Sequence, residues 1–157
     1  MIYLTIDKRY RPINIDRMVI KAAEAALKNQ GVSLQTDLSV VITGDQKSKR
    51  LNTQFRGEAH ATDVLSFPSG EFSDGKGRGY LGDVIISLPR ARAQANAGGH
   101  NLHEELQLLT VHGVLHLLGH DHGSAQEKVS MWAAQDEILN ELGVFIHSPA
   151  AVTDRES

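Results

Sequence analysis

Residues 111–122 read VHGVLHLLGHDH and hold four of the eight histidines of the chain. His112 and His116 lie four residues apart in an apolar run with helical spacing, so a helix places both imidazoles on one face with Cβ atoms about 5–6 Å apart. Gly119 predicts the end of that helix and a turn that carries His122 back toward the other two. Three neutral imidazoles that converge in this way leave a coordination position open, as in catalytic zinc sites.

The spacing of these histidines matches the zinc-ligand frame of the metzincin peptidases, His-Glu-x-x-His-x-x-Gly-x-x-His. In that frame the glutamate is the general base that activates water. The chain carries Gly113 at this position, so the base needed for peptide hydrolysis is absent. The sequence therefore predicts a metal site that lacks the catalytic base of a peptidase.

The composition is that of an ordinary globular domain, with 157 residues, 41% hydrophobic and 22% charged. The chain has no cysteine, which leaves histidine and carboxylate as strong metal ligands and fits a reducing compartment. We see no signal peptide and no apolar run long enough to span a membrane, so we expect a cytoplasmic protein without a membrane partner. The net charge of −3 disfavours indiscriminate nucleic-acid binding.

The order of the predicted elements indicates the fold class. The predicted strands cover residues 2–6, 34–43, 63–67 and 80–88, and the predicted helices cover 16–30, 45–55, 89–97, 102–118 and 124–143. Early alternation followed by a run of helices predicts an α+β fold, with one mixed four-stranded sheet packed against about five helices. We expect the histidine helix to be the central buried helix.

The chain reads as one domain. We expect a single catalytic metal-binding domain over residues 1–147 and a frayed polar tail over 148–157. The stretch SGEFSDGKGRG at 69–79 predicts a mobile loop. A plain connector is favoured there over a substrate lid.

Three stretches precede the histidine motif in a fixed order: LNTQFR at 51–56, TDVLSFP at 62–68 and GDVIIS at 82–87. Together with that motif they resemble the bacterial YbeY family of metal-dependent endoribonucleases. The resemblance implies a zinc-dependent, single-strand-selective endoribonuclease that acts in small-subunit ribosomal RNA 3′-end maturation and ribosome quality control. It also implies ribosomal RNA, and the small ribosomal subunit or its assembly proteins, as partners.

The same resemblance assigns the site residues. It makes His112, His116 and His122 the ligands of one zinc ion, with the identity of the native metal left open. It makes Arg56 the motif arginine that is important for activity. A guanidinium can hold a phosphate through two hydrogen bonds and stabilise the charge that builds on it. Without the resemblance, the favoured interpretation of Arg56 is a solvated residue near a helix C-terminus.

The chain departs from the family pattern at two positions. Phe55 replaces the more usual tyrosine before Arg56, which keeps the ring and loses a hydroxyl. His120 replaces the tyrosine of Gly-Tyr-Asp-His and offers an alternative ligand two residues from His122. Asp121 can orient a ligand imidazole or cap the turn after the helix, and the sequence does not separate these roles.

The roles of several other charged residues also stay open at this stage. Asp63 and Asp83 either hold backbone turns or approach the site. Seven basic residues are candidates for a rim that faces RNA, although scattered charges of this kind are usually solvated surface: Lys47, Lys49, Arg50, Lys76, Arg78, Arg90 and Arg92.

Two rival functions remain at this stage. A metallopeptidase-like hydrolase is disfavoured by Gly113. A ribosome-associated binding module with a structural metal predicts that His112→Ala unfolds the protein, because structural zinc contributes folding free energy directly.

Overall fold

The computed structural model describes residues 1–58, 62–71 and 79–146, and the statements that follow refer to these residues. They form four strands and five α-helices. The strands are β1 (Ile2–Ile6), β2 (Asp37–Thr43), β3 (Val64–Pro68) and β4 (Tyr80–Ser87). The helices are α1 (Asp16–Asn29), α2 (Asp45–Arg56), α3 (Leu88–Gly98), α4 (Leu102–Leu117) and α5 (Ala125–Glu141).

The strands form one mixed sheet in the order β1-β2-β4-β3. β1 pairs with β2 and β2 pairs with β4 in parallel, whereas β3 runs antiparallel to β4 at the edge. The register aligns Leu4 with Val40, Val40 with Val84, and Val84 with Ser66. Because side chains alternate between faces along a strand, this row marks the sheet face on which α4 packs. The predicted α+β fold with a mixed four-stranded sheet is confirmed.

Helix α4 is the centre of the core. It packs against α1, α3 and α5 on its sides and against β3 and β4 below. Its sequence is apolar around nearly the whole circumference, and accordingly most of its residues are buried. The predicted capping box at its start is present, since Asn101 and Glu104 exchange side-chain to backbone hydrogen bonds. The prediction of a central buried histidine helix is therefore confirmed.

Gly113 lets α4 approach the sheet closely. A Cβ atom at this position would lie 2.5 Å from Val84 Cγ1 and 3.4 Å from Ser66 Oγ. The Ser66 hydroxyl donates a hydrogen bond of 3.0 Å to the Gly113 carbonyl, which ties the helix to the edge strand. The position where a metzincin has its glutamate is therefore filled by the sheet, and no side chain fits there.

We expect Gly113→Ala to destabilise the protein by up to about 2 kcal/mol. Overpacking against Val84 costs about 1–3 kcal/mol and outweighs the helix-propensity gain of about 1 kcal/mol. Urea unfolding of the metal-free protein measures the change. In a Val84→Ala background, which removes the clashing methyl groups, the same substitution should become neutral or stabilising. A stabilisation of about 1 kcal/mol in the wild-type background would contradict the close-packing explanation.

The structure differs from the sequence prediction at several element boundaries and contains one element that was not predicted. β2 begins at Asp37 rather than Leu34, because a turn in which the Thr36 N–H bonds to the Ser33 carbonyl precedes it. β3 runs from Val64 to Pro68 rather than from 63 to 67, so Pro68 is its last residue. An edge strand tolerates a proline there because one side of the strand needs no backbone hydrogen-bond donor. A short 3-10 turn over Lys8–Tyr10 was not predicted.

The predictions of a frayed tail and of a mobile loop concern segments that the structure describes in small part or not at all. The tail 148–157 and most of the loop 69–79 lie outside the described residues. Within the described ranges, no helix has the length and apolar character needed to cross a membrane.

Candidate metal centre and active-site cavity

The three predicted ligands come together. The ring centroids lie 4.6 Å apart for His112 and His116, 5.1 Å for His116 and His122, and 5.8 Å for His112 and His122. One ring nitrogen from each lies within 4.8 Å of the other two. His112 is fully buried, whereas His116 and His122 are partly exposed. The cluster therefore has one closed side and one open side.

A Schellman motif returns the chain from α4 to the cluster. The Gly119 N–H bonds to the His116 carbonyl at 3.0 Å, and the His120 N–H bonds to the Leu115 carbonyl at 3.0 Å. Gly119 has a φ of +99°, a left-handed conformation that glycine adopts without steric cost. The tight reversal brings His122 against the helix face that carries the first two histidines, as the sequence predicted.

The donor set fits a zinc ion. Imidazole nitrogen is a preferred zinc ligand, and the residues that the structure describes provide three such nitrogens in one cluster. The exposed flank of His116 and His122 leaves room for a fourth ligand from solvent or substrate.

A cavity of about 360 Å³ opens beside the cluster. Arg56 enters it from the last turn of α2, and its Nη2 lies 3.5 Å from the Ser66 carbonyl. His116 and His122 border the same cavity. The full lining consists of Arg56, Ser66, Pro68, His116, Gly119, His120, Asp121 and His122. One cavity thus joins the predicted catalytic arginine to two of the three predicted metal ligands.

His120 points to a different partner. Its Nε2 lies 2.7 Å from Oε1 of Gln30, at the end of α1, and burial lowers the pKa of the His120 imidazole. Asp121 accepts a hydrogen bond of 2.7 Å from the His122 N–H. The contacts therefore favour His122 over His120 as third ligand, and they favour the turn-capping role of Asp121.

The remaining charged candidates lie away from the cavity lining. Asp63 accepts a hydrogen bond of 2.8 Å from the Val64 N–H and holds its own turn. Asp83 accepts a hydrogen bond from the Tyr80 hydroxyl. The pKa of Tyr80 is raised mainly by burial and, to a smaller extent, by this hydrogen bond. Of the seven predicted rim residues, Lys76 and Arg78 are outside the described residues, and the other five are absent from the lining.

The comparison with known proteins identifies the family. The family described as Endoribonuclease YbeY matches residues 4–143. The chain belongs to the YbeY family. A protein called Endoribonuclease YbeY from Brevibacillus brevis is 37% identical over 143 residues, which are 83% of this chain and 89% of that relative. The YbeY endoribonuclease from Solibacter usitatus is 47% identical over 118 residues, 75% of each chain. The resemblance seen in the sequence is confirmed.

A solved structure supports the YbeY fold assignment. The solution structure of a Thermotoga maritima protein superposes with a TM-score of 0.56 at 23% identity, and the match covers 100% of this chain and 99% of that one. At this identity the match supports the fold alone.

Sequence reasoning missed two residues that contact the YbeY histidine cluster. Gln135 Oε1 lies 3.0 Å from His112 Nδ1, and the Trp132 ring centroid lies 5.9 Å from that of His122. Both come from α5, and Gln135 is a polar residue on the buried face of that helix. A polar residue within the apolar stripe of α5 was the sequence signal that could have indicated a buried polar contact.

Proposed function

We propose that this protein is a zinc-dependent endoribonuclease that cleaves single-stranded RNA. The observation that carries the proposal is the shared cavity, which Arg56 enters from one side and His116 and His122 border from the other. Relatives named Endoribonuclease YbeY, up to 47% identical, support the reaction class. The confirmed family supports a nuclease, and the zinc ion and the strand preference are proposed here.

The chain's own residues supply binding and charge stabilisation. Arg56 is exposed at a helix end, and its Nη2 lies 3.5 Å from the Ser66 carbonyl, which places the guanidinium at the cavity. Its planar fork binds two oxygens of the scissile phosphate and stabilises the charge that develops on them. The three histidines would hold a zinc ion, which would supply Lewis-acid activation of water and of the phosphoryl group.

The position of the cavity favours a single strand. The cavity is lined by the end of α2 and the turn after α4, so the scissile phosphate would lie between these two elements. A single strand can splay its bases and bend its backbone into such an opening, whereas a duplex presents paired bases and a fixed backbone. Selectivity for unpaired RNA follows from this restriction.

The cellular task is proposed from the family motifs. We place the cleavage in small-subunit ribosomal RNA 3′-end maturation and ribosome quality control, in the cytoplasm. The partners are then ribosomal RNA and the small subunit or its assembly proteins.

The rival peptidase function is disfavoured at Gly113. This position supplies no general base, and the close approach of the sheet leaves no space for one.

A paired metal and cleavage assay tests the reaction. We expect freshly purified protein to hold about one zinc ion per chain and to cleave an unstructured RNA oligonucleotide. Chelator treatment should abolish cleavage, and zinc should restore it. A fully paired duplex of the same sequence is the matched substrate control, and denatured casein tests for peptidase activity. Cleavage that persists at the full rate without metal would contradict the proposed chemistry.

A further inference from the structure

Gln135 is a polar side chain placed in an apolar surface. It lies on the buried face of α5 with Met131, Ile138 and Leu139, and none of the four is more than 1% exposed. Burying an amide in such surroundings costs free energy unless its polar atoms are hydrogen-bonded. Its Oε1 lies 3.0 Å from Nδ1 of the equally buried His112. Its Nε2 has no hydrogen-bond partner in the described part of the chain.

This contact determines which nitrogen of His112 carries the proton. A neutral imidazole has one N–H donor and one acceptor nitrogen. The amide oxygen of Gln135 can only accept, so Nδ1 of His112 must donate and the lone pair must reside on Nε2. A reversed amide would donate to Nδ1 and leave the proton on Nε2, where it would block coordination of a cation.

We propose that Gln135 is a positioning residue of the metal centre, which fixes the tautomer and ring orientation of His112 so that Nε2 faces His116 and His122. The inference rests on the proposed zinc site. A hydrogen bond from an acceptor to the remote nitrogen of a ligand histidine also raises its basicity, and loss of such a partner weakens metal affinity by about 10- to 100-fold.

The position of Gln135 in the chain suits this task. α5 begins three residues after His122, with a capping box formed by Ser124 and Glu127. The helix start thus lies close in sequence to the third ligand, and Gln135, further along the same helix, contacts the first ligand. α5 thus connects the exposed and buried sides of the cluster.

The proposal predicts a split between two substitutions. Gln135→Met keeps the length of the side chain and removes the acceptor, whereas Gln135→Glu keeps an acceptor oxygen. Competition with a chromophoric chelator should show the zinc dissociation constant of Gln135→Met raised by about 10- to 100-fold. Gln135→Glu should stay within a few-fold of the wild type. Ile138→Val, on the same buried face, is the matched control and should leave zinc affinity unchanged.

A second readout needs no metal. Nitrogen-15 NMR of the histidine side chains in the metal-free protein should show His112 as the Nδ1–H tautomer in the wild type and as a mixture in Gln135→Met. Equal zinc affinity of wild type and Gln135→Met would overturn the inference. So would an Nε2–H tautomer of His112 in the wild type, which decides the matter even if Gln135→Met does not fold. A wild-type protein that binds no zinc would instead overturn the proposed function.

Discussion

Arg56→Ala should leave the protein folded and slow RNA cleavage by about 10²- to 10³-fold, the usual cost of removing one donor to a developing oxyanion. The side chain is exposed at the end of α2, and its described contact is a long one to the Ser66 carbonyl. Its removal therefore has little effect on the core. Initial rates on an unstructured RNA oligonucleotide, beside the thermal unfolding curve and the zinc content, measure the effect.

Two companion variants separate charge from geometry. Arg56→Lys keeps the positive charge and loses the fork, so it should recover only part of the rate. Arg50→Ala removes a cation from the same helix outside the cavity lining and should stay within a few-fold of the wild type. If Arg56→Ala cleaves at the wild-type rate, the phosphate-binding role is wrong. If Arg50→Ala loses as much as Arg56→Ala, general attraction to RNA explains the loss.

His122→Ala should lose zinc and reduce RNA cleavage to the level of the chelated wild type. Even the hydrogen-bond partners of ligands are worth about 10- to 100-fold in affinity, so removal of a ligand should raise the zinc dissociation constant by more than about 100-fold. His122 lies in the turn after α4 and is partly exposed, so its loss leaves the apolar core intact. Zinc content after gel filtration and the cleavage rate measure the outcome.

His120→Ala is the matched control for this experiment. The two histidines are two residues apart and border the same cavity, but the His120 imidazole bonds to Gln30. We expect His120→Ala to keep one zinc ion per chain. Zinc retention by His122→Ala together with zinc loss by His120→Ala would exchange the two assignments.

The sequence predicted the cluster because its geometry is local. His112 and His116 are fixed by helix periodicity, and the left-handed glycine at Gly119 makes the return of His122 a short-range event. Arg56 is different, since it lies 60 residues before His116 and reaches the cavity only through the packing of α2 and β3. Its proximity could not be derived from spacing and came from the family resemblance.

The sheet order shows the same limit. Strand positions follow from local hydrophobic patterns, yet the insertion of β4 between β2 and β3 depends on long-range pairing. Gln135 was missed for a related reason. Its bond to His112 spans 23 residues, and a single glutamine in an amphipathic helix is ordinarily a surface residue.

Among the residues that the structure describes, the histidine cluster has a closed inner side and an open outer side. His112 closes the inner side, while His116 and His122 border the cavity that Arg56 enters. Under the proposed function, an ion held by these histidines would share the cavity with the RNA. RNA bound in the cavity should then slow the exchange of that ion with the solution.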